Sequence, residues 1–120
     1  MPKFLIHIHT GPENPTKAAL GLLVAATTLK QGHSVDLFLA DDAVLLLRSD
    51  HLEALEGLGT GRVAEHVPTI VQLGGRFYLS GLSAKSRGMG PEILADKPAE
   101  FAMPDVQVRL VSEADVVLTY

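Results

Sequence analysis

Two serines stand where an apolar stretch of the chain ends in a turn, and their hydroxyls are the first candidates for chemistry. Residues 76–88 read Arg-Phe-Tyr-Leu-Ser-Gly-Leu-Ser-Ala-Lys-Ser-Arg-Gly, with Ser80 and Ser83 in the turn. A catalytic serine in such a turn has glycine two residues away on both sides and needs a nearby base, and neither serine shows that pattern. We therefore expect both hydroxyls to bind backbone groups at the start of a helix.

Two basic residues, Lys85 and Arg87, follow this turn. Cationic side chains near the start of a helix can bind an anion, so the segment is a candidate anion or small-ligand site. The alternative is that both side chains lie on a solvated surface.

Two histidines near the start of the chain form the second group of candidates. His7 and His9 are two residues apart, so on a strand their side chains point to the same face. Such a pair could bind a metal with Asp41 or Asp42 as a third ligand. Two alternatives remain open, a structural role for both rings and a ligand-binding or proton-transfer role for His9.

Polar residues follow three of the expected strands, and in a parallel sheet such strand ends meet at one edge, where ligands bind. We expect them to line one crevice. The candidate ligand-binding residues are His9, Glu13, Asn14, Asp41, Ser83, Lys85 and Arg87.

Alternating apolar runs and helix-capping residues predict the elements that position these side chains. The predicted strands are Lys3 to His9, Ser34 to Ala40, Arg76 to Leu79 and Val116 to Thr119. The predicted helices are Pro15 to Gln31 with Asn14 as its cap, Ala43 to Arg48 with Asp41 or Asp42 as its cap, and one within Arg62 to Leu73 that starts late or kinks at Pro68. Strands that alternate with helices predict an α/β fold with a parallel sheet covered on both faces.

Three segments are harder to assign. Ser49 to Gly61 is predicted to be a long loop with at most one helical turn, and Pro91 to Leu94 a brief edge strand. Pro104 to Glu113 fits a helix, which we favour because Pro104 suits a first helical position, although alternating valines also fit a strand.

Composition excludes several classes of function. A length of 120 residues predicts one domain, residues 1–120. A net charge of −4 disfavours nucleic-acid binding, and the absence of cysteine excludes a thiolate nucleophile and cysteine-ligated metal sites. The apolar run Ala18 to Ala26 is too short to span a membrane, and the first residues show no leader pattern, so a cytoplasmic protein is expected. No cofactor is predicted, since the Gly-containing loops match no nucleotide-binding fingerprint.

Several short segments, in order along nearly the whole chain, resemble those of the DsrE/DsrF-like family of small sulfur-relay proteins. They are Gly11 to Ala19, Gly32-His33 leading into Val35 to Ala40, Asp42 to Val44, Gly74 to Arg76, Ser83 to Gly88, Ala114-Asp115 and Val117 to Tyr120. The resemblance implies a flavodoxin-like three-layer domain with a mostly parallel sheet of about five strands. It also implies a homotrimer or homohexamer, which agrees with the first helix being apolar nearly all round and thus expected to lie partly in a subunit interface.

The resemblance also implies a departure in chemistry. The better-known members pass persulfide sulfur through a cysteine just before the Arg-Gly, and Ser80 and Ser83 stand where members of the family place cysteines. A hydroxyl cannot store sulfur as an S–S bond, so we expect no sulfurtransferase activity.

Three hypotheses follow. The first is a non-catalytic oligomer that binds a small ligand, such as an anion, or a partner protein of a sulfur relay at the crevice. The second is a hydrolytic or metal-assisted enzyme that uses His9, Asp41 and Ser83. The third is a structural subunit of a sulfur-relay complex.

Overall fold

The computed structural model describes residues 2–120, which form seven strands, five α-helices and two 3-10 helices. The strands are β1 (Lys3–Ile8), β2 (Ser34–Leu39), β3 (Glu56–Gly57), β4 (Gly61–Arg62), β5 (Arg76–Ser80), β6 (Ala99–Ala102) and β7 (Val116–Thr119). The α-helices are α1 (Pro15–Lys30), α2 (Ser49–Ala54), α3 (Val63–Gln72), α4 (Gly81–Ser86) and α5 (Pro104–Glu113). The 3-10 helices are Asp41–Leu47 and Pro91–Leu94.

Five of the strands form one sheet in the order β6-β5-β2-β1-β7, and every neighbouring pair in it is parallel. The two shortest strands, β3 and β4, form a separate antiparallel hairpin. The protein thus has the α/β fold with a five-stranded parallel sheet that the sequence predicts.

The two faces of the sheet are covered unequally. The first face carries the larger core, in which α1, α3 and the 3-10 helix Asp41–Leu47 pack on apolar residues of β1, β2 and β5. The second face carries a small cluster around Leu5, Phe38 and Tyr78, covered by Leu110 of α5. Since side chains alternate between faces along a strand, β1 supplies Ile6 to one core and Leu5 to the other.

Helix α1 begins and ends as its sequence predicts. The Oδ1 of Asn14 accepts the N–H of Lys17 at 3.2 Å, and Pro15, whose nitrogen carries no hydrogen to be satisfied, is its first residue. Gly32 follows the helix with a φ of 91°, which glycine adopts without a steric penalty.

The apolar surface of α1 is buried largely within one chain. The helix packs on the sheet and α3, and the β3–β4 hairpin lies against its first turns. The Leu58 N–H and the Thr60 hydroxyl hold the hairpin there, because they donate to the side-chain and backbone oxygens of Thr16, each at 3.0 Å. Burial of α1 therefore needs no partner subunit, and its place in an interface stays a prediction.

Three predicted elements differ in the structure. Pro91–Leu94 is a 3-10 helix and not a strand, and Ala99–Ala102 forms the edge of the sheet because it finds hydrogen-bonding partners on β5. Ser49 to Gly61 is not a long loop, because it holds α2 and most of the hairpin. The 3-10 helix Asp41–Leu47 has no side-chain cap, so neither aspartate caps it.

Two open assignments are decided by the structure. Pro104–Glu113 is a helix, as favoured, and α3 runs from Val63 through Pro68 to Gln72. Among residues 2–120, none of the helices combines the length and the apolar character that crossing a membrane requires.

Candidate functional site

The carboxyl ends of β1, β2 and β5 lie side by side. In the sheet register Ile8 pairs with Leu39, and Leu39 pairs with Leu79. The segments after these strands therefore meet at the carboxyl end of the sheet. We call residues 9–14, 40–42 and 80–87 together the strand-end crevice.

Ser80 and Ser83 both accept hydrogen bonds from backbone N–H groups. The Ser80 Oγ accepts the N–H of Ser83 at 3.2 Å and so caps α4. The Ser83 Oγ accepts the N–H of Asp41 at 2.8 Å and so joins α4 to the 3-10 helix after β2. Both hydroxyls thus have structural partners, as the sequence predicts, although the partner of Ser83 lies 42 residues away.

Arg87 holds the same two segments together. Its Nε donates to Asp42 Oδ1 at 3.0 Å, and one terminal nitrogen pairs with Asp41. The other terminal nitrogen donates to the Ser83 carbonyl oxygen at 3.1 Å and to the Ser86 hydroxyl. Because two carboxylates already surround this guanidinium, it is not a free anion site.

The backbone around Asp41 is constrained from both sides. Asp41 has a φ of 53°, a left-handed conformation that is uncommon outside glycine. Gly11, in the loop after β1, lies close to Asp42, the residue after Asp41. A Cβ atom on Gly11 would stand 2.1 Å from the Asp42 carbonyl oxygen. The first loop of the crevice therefore accepts only glycine at this position.

The two histidines lie on the second face of the sheet. The ring centroids of His7 and His9 are 5.2 Å apart and edge to face, and His7 is also edge to face with Phe38. Burial, and secondly the proximity of His9, lowers the pKa of His7 below its usual 6.5. The His7 Nε2 is buried without a partner, and the Gln107 side-chain nitrogen lies 3.4 Å from its Nδ1.

The proposed third metal ligands do not join these histidines. Asp41 and Asp42 bind Arg87 instead, and residues 2–120 contain no group of three His, Cys, Asp or Glu side chains placed to hold a metal ion. The surroundings of His7 correspond to the structural alternative, whereas His9 is exposed at the crevice.

Of the three remaining candidates, Glu13 and Asn14 accept hydrogen bonds from backbone N–H groups, and Lys85 makes no ion pair within residues 2–120. The Glu13 carboxylate accepts the N–H of Gly11 at 2.8 Å, and Asn14 is used as the cap of α1. Lys85 is exposed, and no ion pair within residues 2–120 involves it. Of the candidate ligand-binding side chains, those of His9 and Lys85 are exposed and make no hydrogen bond or ion pair within residues 2–120.

Sequence reasoning missed two features of this region. The carboxylate partners of Arg87 are 45 and 46 residues away, and no local pattern indicates such a contact. Gln107 reaches His7 from a helix 100 residues later. The close approach of Gly11 could have been suspected, because a Gly-Pro pair after a strand often marks a tight loop.

Two surface grooves lie away from the crevice, beside α2, α3 and the segment before β6. Their volumes are about 220 Å³ and about 410 Å³, and both are lined in part by Leu47, Ser49 and Lys97. Neither groove is lined by one of the candidate site residues of the sequence analysis.

Solved structures share this fold at low sequence identity. The ychN protein from E. coli superimposes with a TM-score of 0.80 and 20% identity, over 100% of both chains. MTH1491 from Methanobacterium thermoautotrophicum, a protein of unknown function, gives 0.73 and 16% over 100% of both chains. BT1422 from Bacteroides thetaiotaomicron, also of unknown function, gives 0.72 and 12% over 99% of this chain and 95% of that one.

No curated protein matches the sequence. The family model described as the DsrE/DsrF-like family matches residues 2–120, which is nearly the whole chain. The order of segments from Gly11 to Tyr120, the five-stranded parallel sheet and this match agree, and the chain belongs to the DsrE/DsrF-like family, as a member without cysteine.

Proposed function

We propose that this protein binds a small ligand or a partner group at the strand-end crevice, without covalent chemistry. The observation that carries the proposal is the use of Ser80 and Ser83. At the two places where the family resemblance leads one to expect a reactive thiol, each hydroxyl accepts a backbone N–H and helps to hold the crevice together.

Sulfur transfer is not part of this proposal. A persulfide carrier needs a sulfur that is nucleophilic near neutral pH and can form an S–S bond, and the chain has no cysteine. The strand-end crevice of this chain therefore lacks the atom that would carry the sulfur.

The charges around the crevice favour a ligand that is not a simple anion. Asp41 and Asp42 surround Arg87, and Glu13 adds a further carboxylate nearby. Lys85 is an exposed cation in the same segment and makes no ion pair within residues 2–120. A small anion would meet more negative than positive charge, so a neutral polar molecule or a peptide segment of a partner protein fits better.

The proposal extends to assembly and location. Self-association as a homotrimer or homohexamer, and a cytoplasmic protein that binds neither nucleic acid nor membranes, follow from the family resemblance and from composition. The hydrolytic alternative has less support, because the Ser83 hydroxyl oxygen accepts the backbone N–H of Asp41. No hydrogen bond joins Ser83 to His9 within residues 2–120.

Native mass spectrometry of protein purified without chelator tests the proposal. We expect the subunits to retain a small-molecule mass or to co-purify with a partner, and we expect His9→Ala and Lys85→Ala to lose it. Lys30→Ala, on the far end of α1, is the matched control and should keep it. Transfer of sulfur from thiosulfate above the buffer rate, or a retained mass that survives both crevice variants, would contradict the proposal.

A further inference from the structure

Exposed apolar residues concentrate in the C-terminal third of the chain. Eight large apolar side chains are exposed in residues 2–120, and five of them lie on α4, α5 or β7 or between these elements. We call this set the α5 surface; its members are Leu82, Met103, Val108, Val111 and Val117. The concentration matters because single exposed apolar residues are ordinary, whereas several on neighbouring elements are typical of an interaction surface.

Helix α5 presents apolar residues on two sides. Val106, Leu110 and Ala114 pack on the sheet. Val108, which is 68% exposed, and Val111 face away from that core, and with Pro104 they follow the i, i+4, i+7 spacing of one helical stripe. An apolar stripe on the outer side of a surface helix has no role in the core of its own chain.

The charges beside this stripe are self-complementary. Asp105 and Arg109 are exposed, lie four residues apart on one flank of the stripe, and make no ion pair within residues 2–120. In an antiparallel pair of α5 helices with a two-fold axis level with residue 107, Asp105 of each copy lies opposite Arg109 of the other. The same axis brings the two apolar stripes together, with the Val108 side chains closest to it.

We propose that the α5 surface docks on the α5 surface of a second copy of this chain in an antiparallel, two-fold arrangement. The contact is isologous, so one residue set supplies both sides of it. The inference rests on the self-association in the proposed function. Since a two-fold contact cannot close a trimer, it names the surface that would join two trimers into a hexamer. It also reaches the crevice, because Met103 Sδ lies 3.1 Å from where a Cβ of Gly81 would stand, and Gly81 follows Ser80 directly. The second copy would thus cover one rim of the crevice.

The absence of cysteine permits a direct test without background. Val108→Cys introduces one thiol close to the two-fold axis, and treatment with a short bis-maleimide should give a covalent dimer on a denaturing gel. Leu73→Cys, at an exposed leucine between α3 and β5, is the matched control and should stay monomeric on the gel. Equal cross-linking of both variants at micromolar concentration, or none at Val108→Cys, overturns the proposal.

Charge reversal supplies a second test that does not depend on cross-linking. Arg109→Asp places like charges opposite each other and should raise the dissociation constant of the two-fold contact at least tenfold in sedimentation velocity. The double variant Asp105→Arg with Arg109→Asp restores the pairing and should recover most of the affinity. A double variant as weak as the single one contradicts the antiparallel register.

The outcome is separable from that of ligand binding at the crevice. A wild-type monomer at 100 µM overturns the docking proposal, as does a trimer that Arg109→Asp leaves unchanged. Neither result affects a small-molecule mass lost on His9→Ala. If Val108→Cys instead forms adducts with a different protein, the α5 surface serves a foreign partner and the self-docking proposal is wrong.

Discussion

Arg87 offers the sharpest test of whether the crevice is held together by its own charges. Replacement by alanine removes the pairs with Asp41 and Asp42 and the hydrogen bond to the Ser83 carbonyl oxygen. The Asp42 side chain is 41% exposed and that of Asp41 is 67% exposed, so solvent weakens both pairs. We assign about 1 kcal/mol to the Asp42 pair, a few tenths to the Asp41 pair and about 0.7 kcal/mol to the hydrogen bond that the guanidinium donates to the Ser83 carbonyl oxygen.

The expected result for Arg87→Ala is therefore a loss of about 2 kcal/mol in the free energy of unfolding, measured by urea denaturation at low salt. Arg87→Lys keeps the charge but cannot bridge both carboxylates, so it should recover less than half of the loss. The Asp41 contribution should disappear in 1 M salt, because screening acts most strongly on exposed pairs.

A double-mutant cycle between Arg87→Ala and Asp42→Ala isolates the main pair, and we expect a coupling of about 1 kcal/mol. If Arg87→Ala changes stability by less than 0.5 kcal/mol, on the order of the effect of an ordinary surface substitution, the structural role assigned to Arg87 is wrong. A gain in stability would indicate that Arg87 is strained for ligand binding and would return it to the candidate anion site.

Three further predictions concern titration and backbone packing. Burial raises the pKa of Asp36 above its usual 3.8, so the stability that its protonated carboxyl contributes at low pH is lost as pH rises through the raised pKa. Asp36→Asn should therefore increase the urea midpoint at pH 7. An unchanged or lower midpoint would contradict this. Burial lowers the pKa of His7, so the free energy of unfolding of the wild type should fall as pH drops below about 6.5. His7→Gln should make that part of the stability-against-pH curve flatter. Parallel curves for the two proteins would show that His7 is not the cause. Gly11→Ala places a Cβ against the Asp42 carbonyl oxygen and should lower the free energy of unfolding by about 2 kcal/mol. Gly59→Ala, whose Cβ would meet nothing within 4 Å, should lower it by only about 1 kcal/mol, because of its positive φ. Equal losses would refute the close approach of Gly11.

The local elements were predictable where their signals are local. Asn14, Pro15 and Gly32 mark both ends of α1, and the bounds of β7 match the apolar run Val116–Thr119. The capping role of Ser80 followed in the same way, because a hydroxyl three residues before a backbone N–H at a helix start has a partner within reach.

The elements that were missed depend on distant partners. Ala99–Ala102 has no alternating pattern and becomes a strand only because β5 offers it a free edge. The residues of β3 and β4 are too few to form a hairpin alone, and α1 supports them through Thr16.

The sequence by itself determined the α/β class, the family and the absence of thiol chemistry, since these depend on periodicity, the order of local segments and residue type. Only the tertiary structure decided how the candidate residues are used. It paired Arg87 with Asp41 and Asp42, gave Ser83 a partner in a different segment and left the outer side of α5 exposed. These outcomes depend on which surfaces meet when the sheet assembles, and contacts across 42 to 46 residues leave no periodic trace in the chain.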